Sequence, residues 1–223
     1  MAINNAKLYL STFLALLVLA AACTSEQPPS SPEPEPGLES NAEPETPGGE
    51  PYAIVKTSEG DFTIELLPEL APKTVENFIK LAEDGFYDGI AFHRVIPGFM
   101  LQAGDPESRG LDPRRVGGGG PGYQIEDEFS EFPHKRGVVS MANKGLRNSA
   151  GSQFFILHQD APALDGRYAV FGRVVEGIEV VDAITEVEID TYGRYGPPDR
   201  PYPVPVVIAG VRIERPGVGV ADN

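Results

Sequence analysis

The chain is organised around the stretch FHRVIPGFMLQAGDP, residues 92–106. It combines the guanidinium of Arg94, the apolar side chains of Phe99 and Met100 and the amide of Gln102, and it is interrupted by a Pro-Gly turn signal. Because side chains alternate between the two faces of a strand, Met100 and Gln102 are predicted to share one face. A turn between two strands brings Arg94 back over that face. The stretch therefore predicts an apolar floor with a few polar donors above it.

Short strand patterns surround this stretch on both sides. The runs 53–57 and 62–66 predict a hairpin, because a Gly-containing tetrapeptide joins them. Further strands are predicted at residues 90–95, 99–103, 138–141, 154–157, 169–174 and 206–213. So many short strands indicate a mainly antiparallel sheet, and a closed or nearly closed barrel with helices at its ends protects their edges.

Two helices are predicted, far apart in the sequence. The first begins at Pro72, because proline suits a first helical turn, and Gly85 ends it. The second is predicted from about Ile178 to Ile184 by its apolar spacing. A Pro-rich loop over residues 192–205 is predicted to precede the last strand.

The N-terminal residues 1–23 have the pattern of an export signal. An apolar run over residues 8–19 is shorter than the about 20 residues of a transmembrane helix, and it ends in small residues before Cys23. This pattern resembles a bacterial lipoprotein signal, in which Cys23 becomes the lipidated first residue. Ala20 stands where that signal prefers Leu, so cleavage without lipidation stays open as an alternative.

Residues 24–50 predict a disordered tether between this signal and a globular domain at residues 51–223. The tether holds seven Pro and seven Glu with almost no apolar side chains. Such a segment buries too little surface to offset the entropy of ordering it. We therefore predict three segments: a signal peptide over 1–23, a tether over 24–50 and one domain over 51–223.

Charge and cysteine content exclude several classes of function. The chain has a net charge of −15, and residues 51–223 hold 26 acidic and 17 basic side chains. Nucleic-acid binding relies on Lys and Arg to neutralise phosphates, so no nucleic-acid partner is expected. One Cys allows no intramolecular disulfide, and the three His have no zinc-site spacing. We predict neither a metal nor a cofactor.

Two other chemistries are weighed on the residues alone. The run GGGGPG at residues 117–122 lacks the Lys-Ser/Thr of a phosphate loop, so it predicts a mobile surface loop. Composition also permits a Ser/His/Asp hydrolase, but no Ser lies in a Gly-x-Ser-x-Gly turn. The residues available for it are Ser140, Ser149, Ser152, His93 and Asp105. We interpret His93 as a structural residue, with a general base as the alternative.

Five sequence motifs occur in order along the chain, and together they resemble those of one protein family. They are FHRVIPGFMLQAGDP (92–106), EDEF (126–129), GVVSMAN (137–143), GSQFFI (151–156) and LDGRYAVFGRVVEG (164–177). Together they resemble the successive signature blocks of cyclophilin-type peptidyl-prolyl cis-trans isomerases, over about residues 53–214. The resemblance implies a closed eight-stranded antiparallel barrel capped by two α-helices, and isomerase activity without a cofactor.

The resemblance also implies roles for individual residues. The family's catalytic arginine corresponds to Arg94, and Gln102 accompanies it. The implied substrate-binding residues are Phe99, Met100, Ala142, Asn143, Gln153, Phe155, Leu164 and Tyr168. Two positions depart from the family: Ala163 stands where many members have Trp, and Tyr168 replaces a rim His. The missing Trp implies weak cyclosporin binding.

These observations predict an exported isomerase, lipid-anchored through Cys23 on the extracytoplasmic face of the cell membrane. Its expected partners are Pro-containing polypeptides, whose folding it assists, and we expect a monomer. One alternative is a catalytically idle module of the same fold that binds Pro-containing segments. Another is a solute-binding lipoprotein, which would need a larger, two-lobed domain.

Overall fold

Alternating apolar and polar side chains build the first hairpin of the domain. In the computed structural model, which describes residues 49–109, 116–193 and 198–216, β1 (Tyr52–Thr57) pairs with β2 (Gly60–Leu66). Alternate residues of both strands are buried, among them Val55 and Ile64. The predicted hairpin is therefore confirmed. The predicted signal peptide and nearly all of the predicted tether lie outside the described residues.

Eight strands form one antiparallel sheet in the order β10-β1-β2-β7-β5-β6-β4-β3. The other six strands of this sheet are β3 (Arg94–Ile96), β4 (Met100–Ala103), β5 (Val138–Met141), β6 (Phe154–Leu157), β7 (Ala169–Glu176) and β10 (Ile208–Glu214). This confirms the predicted mainly β, eight-stranded antiparallel architecture.

The two edges of the sheet meet through the segments that precede β3 and β10. Ala91 pairs with Val207 in an isolated antiparallel bridge. The Phe92 N–H donates to the Val206 carbonyl (2.9 Å), beside this bridge. The single strand predicted over 90–95 is therefore wrong: its first residues pair with the start of β10, and β3 pairs with β4. The predicted closed barrel is a curled sheet, whose edges are joined by backbone hydrogen bonds between residues 89–92 and 206–208.

The first helix, α1 (Pro72–Glu83), is capped by a side chain from a distant loop. Ala71 at its N-cap has no side chain that can accept a hydrogen bond. The Glu128 carboxylate instead accepts hydrogen bonds from the N–H groups of Lys73 (3.0 Å) and Thr74 (2.7 Å). A carboxylate also interacts favourably with the positive end of the helix dipole. The predicted start at Pro72 is confirmed, and the helix stops just before Gly85.

The second helix, α2 (Ile178–Glu186), begins after a glycine that the backbone requires. Gly177 has φ +75°, and a Cβ there would lie 2.5 Å from the Asp61 carbonyl oxygen. Val181 and Ile184 of α2 are fully buried in the same core as Val75 and Phe78 of α1. The two predicted helices thus both pack into the main core.

The sheet has apolar side chains on both faces, and they form two separate clusters. The main core includes Leu101, Val139, Phe154, Ile156 and Phe171 together with the two helices. The second, which we call the outer cluster, contains the buried residues Leu67, Met100, Val138, Phe155, Leu157 and Val170. Consecutive residues of a strand point to opposite faces, so Phe154 lies in the main core and Phe155 in the outer cluster.

The Pro-rich segment before β10 is more regular than its sequence predicts. Within the described part of this segment, β9 (Arg200–Pro201) pairs with β8 (Ile189–Asp190), which lies just before the segment, in a two-stranded ribbon. The carbonyl of Asp199 accepts a hydrogen bond from the Val95 N–H (2.5 Å), so the ribbon lies along β3. The loop predicted over 192–205 thus contains one short strand, Arg200–Pro201, within its described residues. In the part of the chain that the structure describes, the helices are too short or too polar to cross a membrane.

Candidate active site

Three of the predicted site residues lie in one row across neighbouring strands. Arg94 of β3 is directly opposite Gln102 of β4, which is directly opposite Phe155 of β6. Directly opposed residues of antiparallel strands project from the same face of a sheet. The Arg94 side chain is exposed, and within residues 49–109, 116–193 and 198–216 no group forms a hydrogen bond or ion pair with its guanidinium. The row therefore places an unpaired cation beside an amide and an aromatic ring.

The outer cluster lies next to this row and forms an apolar patch, which we call the apolar pocket. Met100 (2% exposed) and Phe155 (5% exposed) form its buried floor. The partly exposed members of the cluster include four more predicted substrate-binding residues: Phe99, Ala142, Leu164 and Tyr168. The structure thus brings together all six predicted apolar or aromatic site residues. Ala163, where the family motif has Trp, is exposed.

The His134 and Tyr168 rings contact the Phe155 ring, and hydrogen bonds to Ser140 and Asp165 hold the His134 ring. The His134 ring stacks on it with centroids 6.3 Å apart, and the Tyr168 ring meets it edge to face at 5.2 Å. One ring nitrogen of His134 lies 2.9 Å from Asp165 Oδ1 and the other lies 3.0 Å from Ser140 Oγ. Hydrogen bonds from the backbone N–H and the ring of His134 lower the pKa of the Asp165 carboxyl. This connected set fixes the orientation of the aromatic floor.

The Ser140–His134–Asp165 arrangement resembles a hydrolase triad only in its order of contacts. Ser140 is 0% exposed and His134 is 1% exposed. A nucleophile has to reach a substrate carbonyl, and the buried Oγ of Ser140 cannot do so. The geometry therefore argues against the hydrolase alternative.

The predicted polar residues lie at the rim of the same pocket. The Gln102 amide donates to Gln153 Oε1 (2.8 Å), and the Ala142 N–H donates to the Gln153 carbonyl (2.8 Å). Asn143 Nδ2 donates to the Arg167 carbonyl (3.1 Å), and Asn143 Oδ1 accepts from the Gly145 N–H (2.9 Å). Both ends of the Asn143 side chain thus form internal hydrogen bonds, which fix this residue at the rim.

The sequence profile described as "Cyclophilin type peptidyl-prolyl cis-trans isomerase/CLD" matches residues 52–213. The chain belongs to the cyclophilin family. A "Probable peptidyl-prolyl cis-trans isomerase" of Brucella suis is 47% identical over 152 residues, which cover 66% of this chain and 78% of that relative. A "Peptidyl-prolyl cis-trans isomerase" of Synechococcus elongatus is 46% identical over 147 residues, which cover 62% of this chain and 96% of that relative. The predicted enzyme class is therefore confirmed.

Solved structures of a Cryptosporidium parvum cyclophilin-type isomerase have the same fold. One aligns with a TM-score of 0.64 and 32% identity over 74% of this chain and 97% of that chain. Another, obtained in the presence of the dipeptide ala-pro, aligns with a TM-score of 0.64 and 30% identity over 74% of this chain and 99% of that chain. These neighbours support the cyclophilin fold independently of the sequence blocks.

A cavity of about 610 Å³ adjoins the apolar pocket of this cyclophilin. Gln102, Ala142, Asn143 and Gln153 form its side towards the pocket, and the glycine-rich loop 117–122 forms part of the rest. The N–H groups of Gly117 and Gly119 donate to the Asp105 carboxylate at 2.5 and 3.1 Å. These donors are thus already used, so they cannot bind a phosphate. The loop predicted to be mobile is fixed on a buried carboxylate.

His93 lies next to Arg94 in the sequence but has a different environment. It is 8% exposed, and neither ring nitrogen forms a hydrogen bond of normal geometry with the described residues, although Ala91 and Gln153 lie near the ring. Burial lowers the pKa of His93, and the nearby Asp105 opposes that shift only in part. The buried, neutral ring agrees with the interpretation of His93 as a structural residue.

Sequence reasoning missed the residues that support the site from behind. His134 and Asp165 orient the aromatic floor, while Asp105 binds the glycine-rich loop. No periodic pattern links these residues, because their contacts are tertiary. No group of His, Cys, Asp or Glu within the described ranges is arranged to hold a metal ion. Cys23, the predicted lipidation site, lies outside the described residues.

Proposed function

We propose that this cyclophilin isomerises Xaa-Pro bonds in exported polypeptides by stabilising the twisted amide without forming a covalent bond to it. The observation that carries the proposal is the position of the exposed, unpaired Arg94 guanidinium in one row with Gln102 and with Phe155 of the outer cluster. The "ala-pro" dipeptide named for the Cryptosporidium parvum neighbour supports a Pro-containing substrate.

The reaction needs no nucleophile, because only rotation about a bond is involved. Resonance gives the peptide bond a rotation barrier of about 18–20 kcal/mol, and uncatalysed Xaa-Pro isomerisation takes tens to hundreds of seconds. Twisting the amide localises the lone pair on the prolyl nitrogen. A donor that binds this lone pair therefore stabilises the transition state more than the ground state.

Arg94 is the donor in this proposal. A hydrogen bond from a charged group contributes about 1.5–3 kcal/mol, and each 1.36 kcal/mol changes a rate tenfold. Arg94 alone therefore accounts for about 10- to 100-fold of the rate enhancement.

The pocket supplies the remaining acceleration by holding the proline ring. Met100, Phe155 and Leu164 offer it an apolar floor, which removes water from the reacting amide. Gln102 and Asn143 at the rim hold one side of the bond while the other side turns. The adjoining cavity gives room for the residues next to the proline, because it shares Gln102 and Asn143 with the pocket.

An isomerase assay on the full chain tests the activity directly. The interconversion of a peptide with one Ala-Pro bond is followed by NMR exchange spectroscopy at substoichiometric enzyme. We expect exchange well above the uncatalysed rate. Peptide binding without acceleration would instead favour a catalytically idle binding module.

The second part of the proposal concerns location, and it rests on residues 1–50. The export signal, the lone Cys23 and the Pro/Glu tether support a lipid-anchored enzyme at the extracytoplasmic face of the membrane, where it assists the folding of exported proteins. Mass spectrometry of the mature N-terminus tests this point. We expect an acylated Cys23, and an unmodified residue there would remove the anchor while leaving the isomerase proposal intact.

A further inference from the structure

A buried carboxylate lies behind the site and has no role in the mechanism above. Asp105 follows β4 and is 0% exposed. No basic side chain within the described residues forms an ion pair with it. Its oxygens instead accept backbone hydrogen bonds from the N–H groups of Glu107 (2.8 Å), Gly117 (2.5 Å) and Gly119 (3.1 Å). Because an unpaired buried charge is very unfavourable, these bonds hold the glycine-rich loop strongly.

The loop approaches Asp105 too closely for any side chain at the contact. A Cβ on Gly119 would lie 2.1 Å from Asp105 Oδ1. Real Cβ atoms do not approach an oxygen so closely, so a larger residue would push the loop away from the carboxylate. The sequence thus provides both parts of this contact, an acid at 105 and a glycine at 119.

The held loop fixes the orientation of the Gln153 amide. Gln153 Nε2 donates to the carbonyls of Gly117 (3.2 Å) and Gly119 (2.9 Å), and it lies 3.5 Å from Asp105 Oδ2. All three neighbours are acceptors, so the NH₂ end of this amide faces the loop. Its oxygen end then faces Gln102, whose Nε2 donates to Gln153 Oε1 at 2.8 Å.

We propose that Asp105 is a positioning residue, which sets the orientation of the Gln102 amide through the glycine-rich loop and Gln153. In this arrangement one N–H of Gln102 is bound to Gln153. Its Oε1 forms no hydrogen bond within the described residues and stays available as an acceptor at the pocket rim. Without Asp105 the Gln153 amide loses its preferred direction, and Gln102 then populates both flipped states. This role rests on the proposed function, because it concerns how the peptide is held.

The proposal predicts an effect on KM rather than on kcat. If only a fraction of the enzyme has Gln102 in the competent orientation, the apparent affinity falls by that fraction. Once the peptide is bound in that orientation, Arg94 acts as before. For Asp105→Asn, about equal population of the two flipped states of Gln102 halves the competent fraction, so we expect KM to rise about twofold with kcat unchanged.

The experiment compares three variants of the full chain. Asp105→Asn removes the charge and replaces one of the two acceptor oxygens with an NH₂ donor. Gly119→Ala keeps Asp105 but forces the loop away, and Glu128→Gln is the control. Like Asp105, Glu128 accepts hydrogen bonds from backbone N–H groups, but at the start of α1 and away from the pocket. Glu128→Gln therefore controls for the loss of stability that follows when such a carboxylate is replaced. Kinetics of the Ala-Pro peptide and the side-chain NH₂ signals of Gln102 and Gln153 are measured for each.

We expect raised KM and shifted or broadened Gln102 and Gln153 NH₂ signals in Asp105→Asn and Gly119→Ala, and wild-type values in Glu128→Gln. Wild-type NH₂ signals and KM in both site variants would overturn the positioning role, as would the same changes in Glu128→Gln. If one site variant fails to fold, the other decides. The NH₂ signals need no catalysis, so a wild-type chain without isomerase activity would refute the proposed function separately.

Discussion

Comparing Phe155→Leu with Phe154→Leu distinguishes a residue of the pocket from a neighbouring residue of the core. Both rings belong to β6 but lie on opposite faces of the sheet. Phe154 is 0% exposed and meets Phe78 edge to face at 5.7 Å in the main core. Phe155 is 5% exposed and meets Tyr168 edge to face at 5.2 Å at the pocket. We predict that both variants are less stable and that only Phe155→Leu loses catalysis.

The magnitudes follow from what each ring contacts. Replacing a buried Phe with Ala lowers the free energy of unfolding by about 3–5 kcal/mol. Leu retains part of the packing, so we expect the free energy of unfolding to fall by about 1–2 kcal/mol in each variant. In a domain of this size that lowers Tm by about 2–8 °C. Phe155→Leu also removes the aromatic surface under the proline ring, and a loss of about 1 kcal/mol there lowers kcat/KM roughly fivefold.

The assay measures Tm by circular dichroism and kcat/KM for the Ala-Pro peptide at a temperature where both variants are fully folded. The expected result is a similar Tm decrease in both, with kcat/KM lowered in Phe155→Leu and unchanged in Phe154→Leu. Equal losses of kcat/KM in the two variants would refute the assignment of Phe155 to the pocket. Full activity of Phe155→Leu would refute it as well.

Three further predictions concern stability, pH and location. Because burial lowers the pKa of His93 in the folded state, the unfolded chain binds more protons below about pH 6.5, and stability falls as the pH drops towards the folded pKa. Urea unfolding of His93→Gln should lose less stability between pH 7 and pH 5 than the wild type does, and an identical loss would contradict this. Glu128→Ala removes the α1 cap and should cost about 1–2 kcal/mol in the same assay, so an unchanged midpoint would rule out the cap. Cys23→Ser should move the protein from the membrane fraction to the soluble fraction, whereas persistence in the membrane would exclude the lipid anchor at this residue.

Much of the fold was predictable because its signals are local. The predicted bounds of β5 and β6 match the structure, since each is a short apolar run between turn residues. Pro72 marks the start of α1 as predicted. The candidate site was predictable for another reason: its residues lie inside four of the five ordered motifs, and the structure brings the predicted apolar members into one cluster.

What could not be predicted depends on contacts between distant segments. The segment 90–96 changes its partner from β10 to β4, and no feature of its own sequence marks that change. The β8–β9 ribbon is too short for a periodic pattern to show. Asp105 and His134 act through tertiary hydrogen bonds and stacking, so their supporting roles appear only when the fold is known.

The central claim, that Arg94 stabilises the twisted amide, is tested most directly by Arg94→Ala. The side chain is exposed and unpaired within the described residues, so its removal should leave Tm unchanged within about 2 °C. We predict that kcat falls about 10- to 100-fold, while the Kd of the Ala-Pro peptide changes by less than about threefold. Both quantities come from one NMR titration and exchange experiment on the full chain. A wild-type kcat in Arg94→Ala would contradict the account.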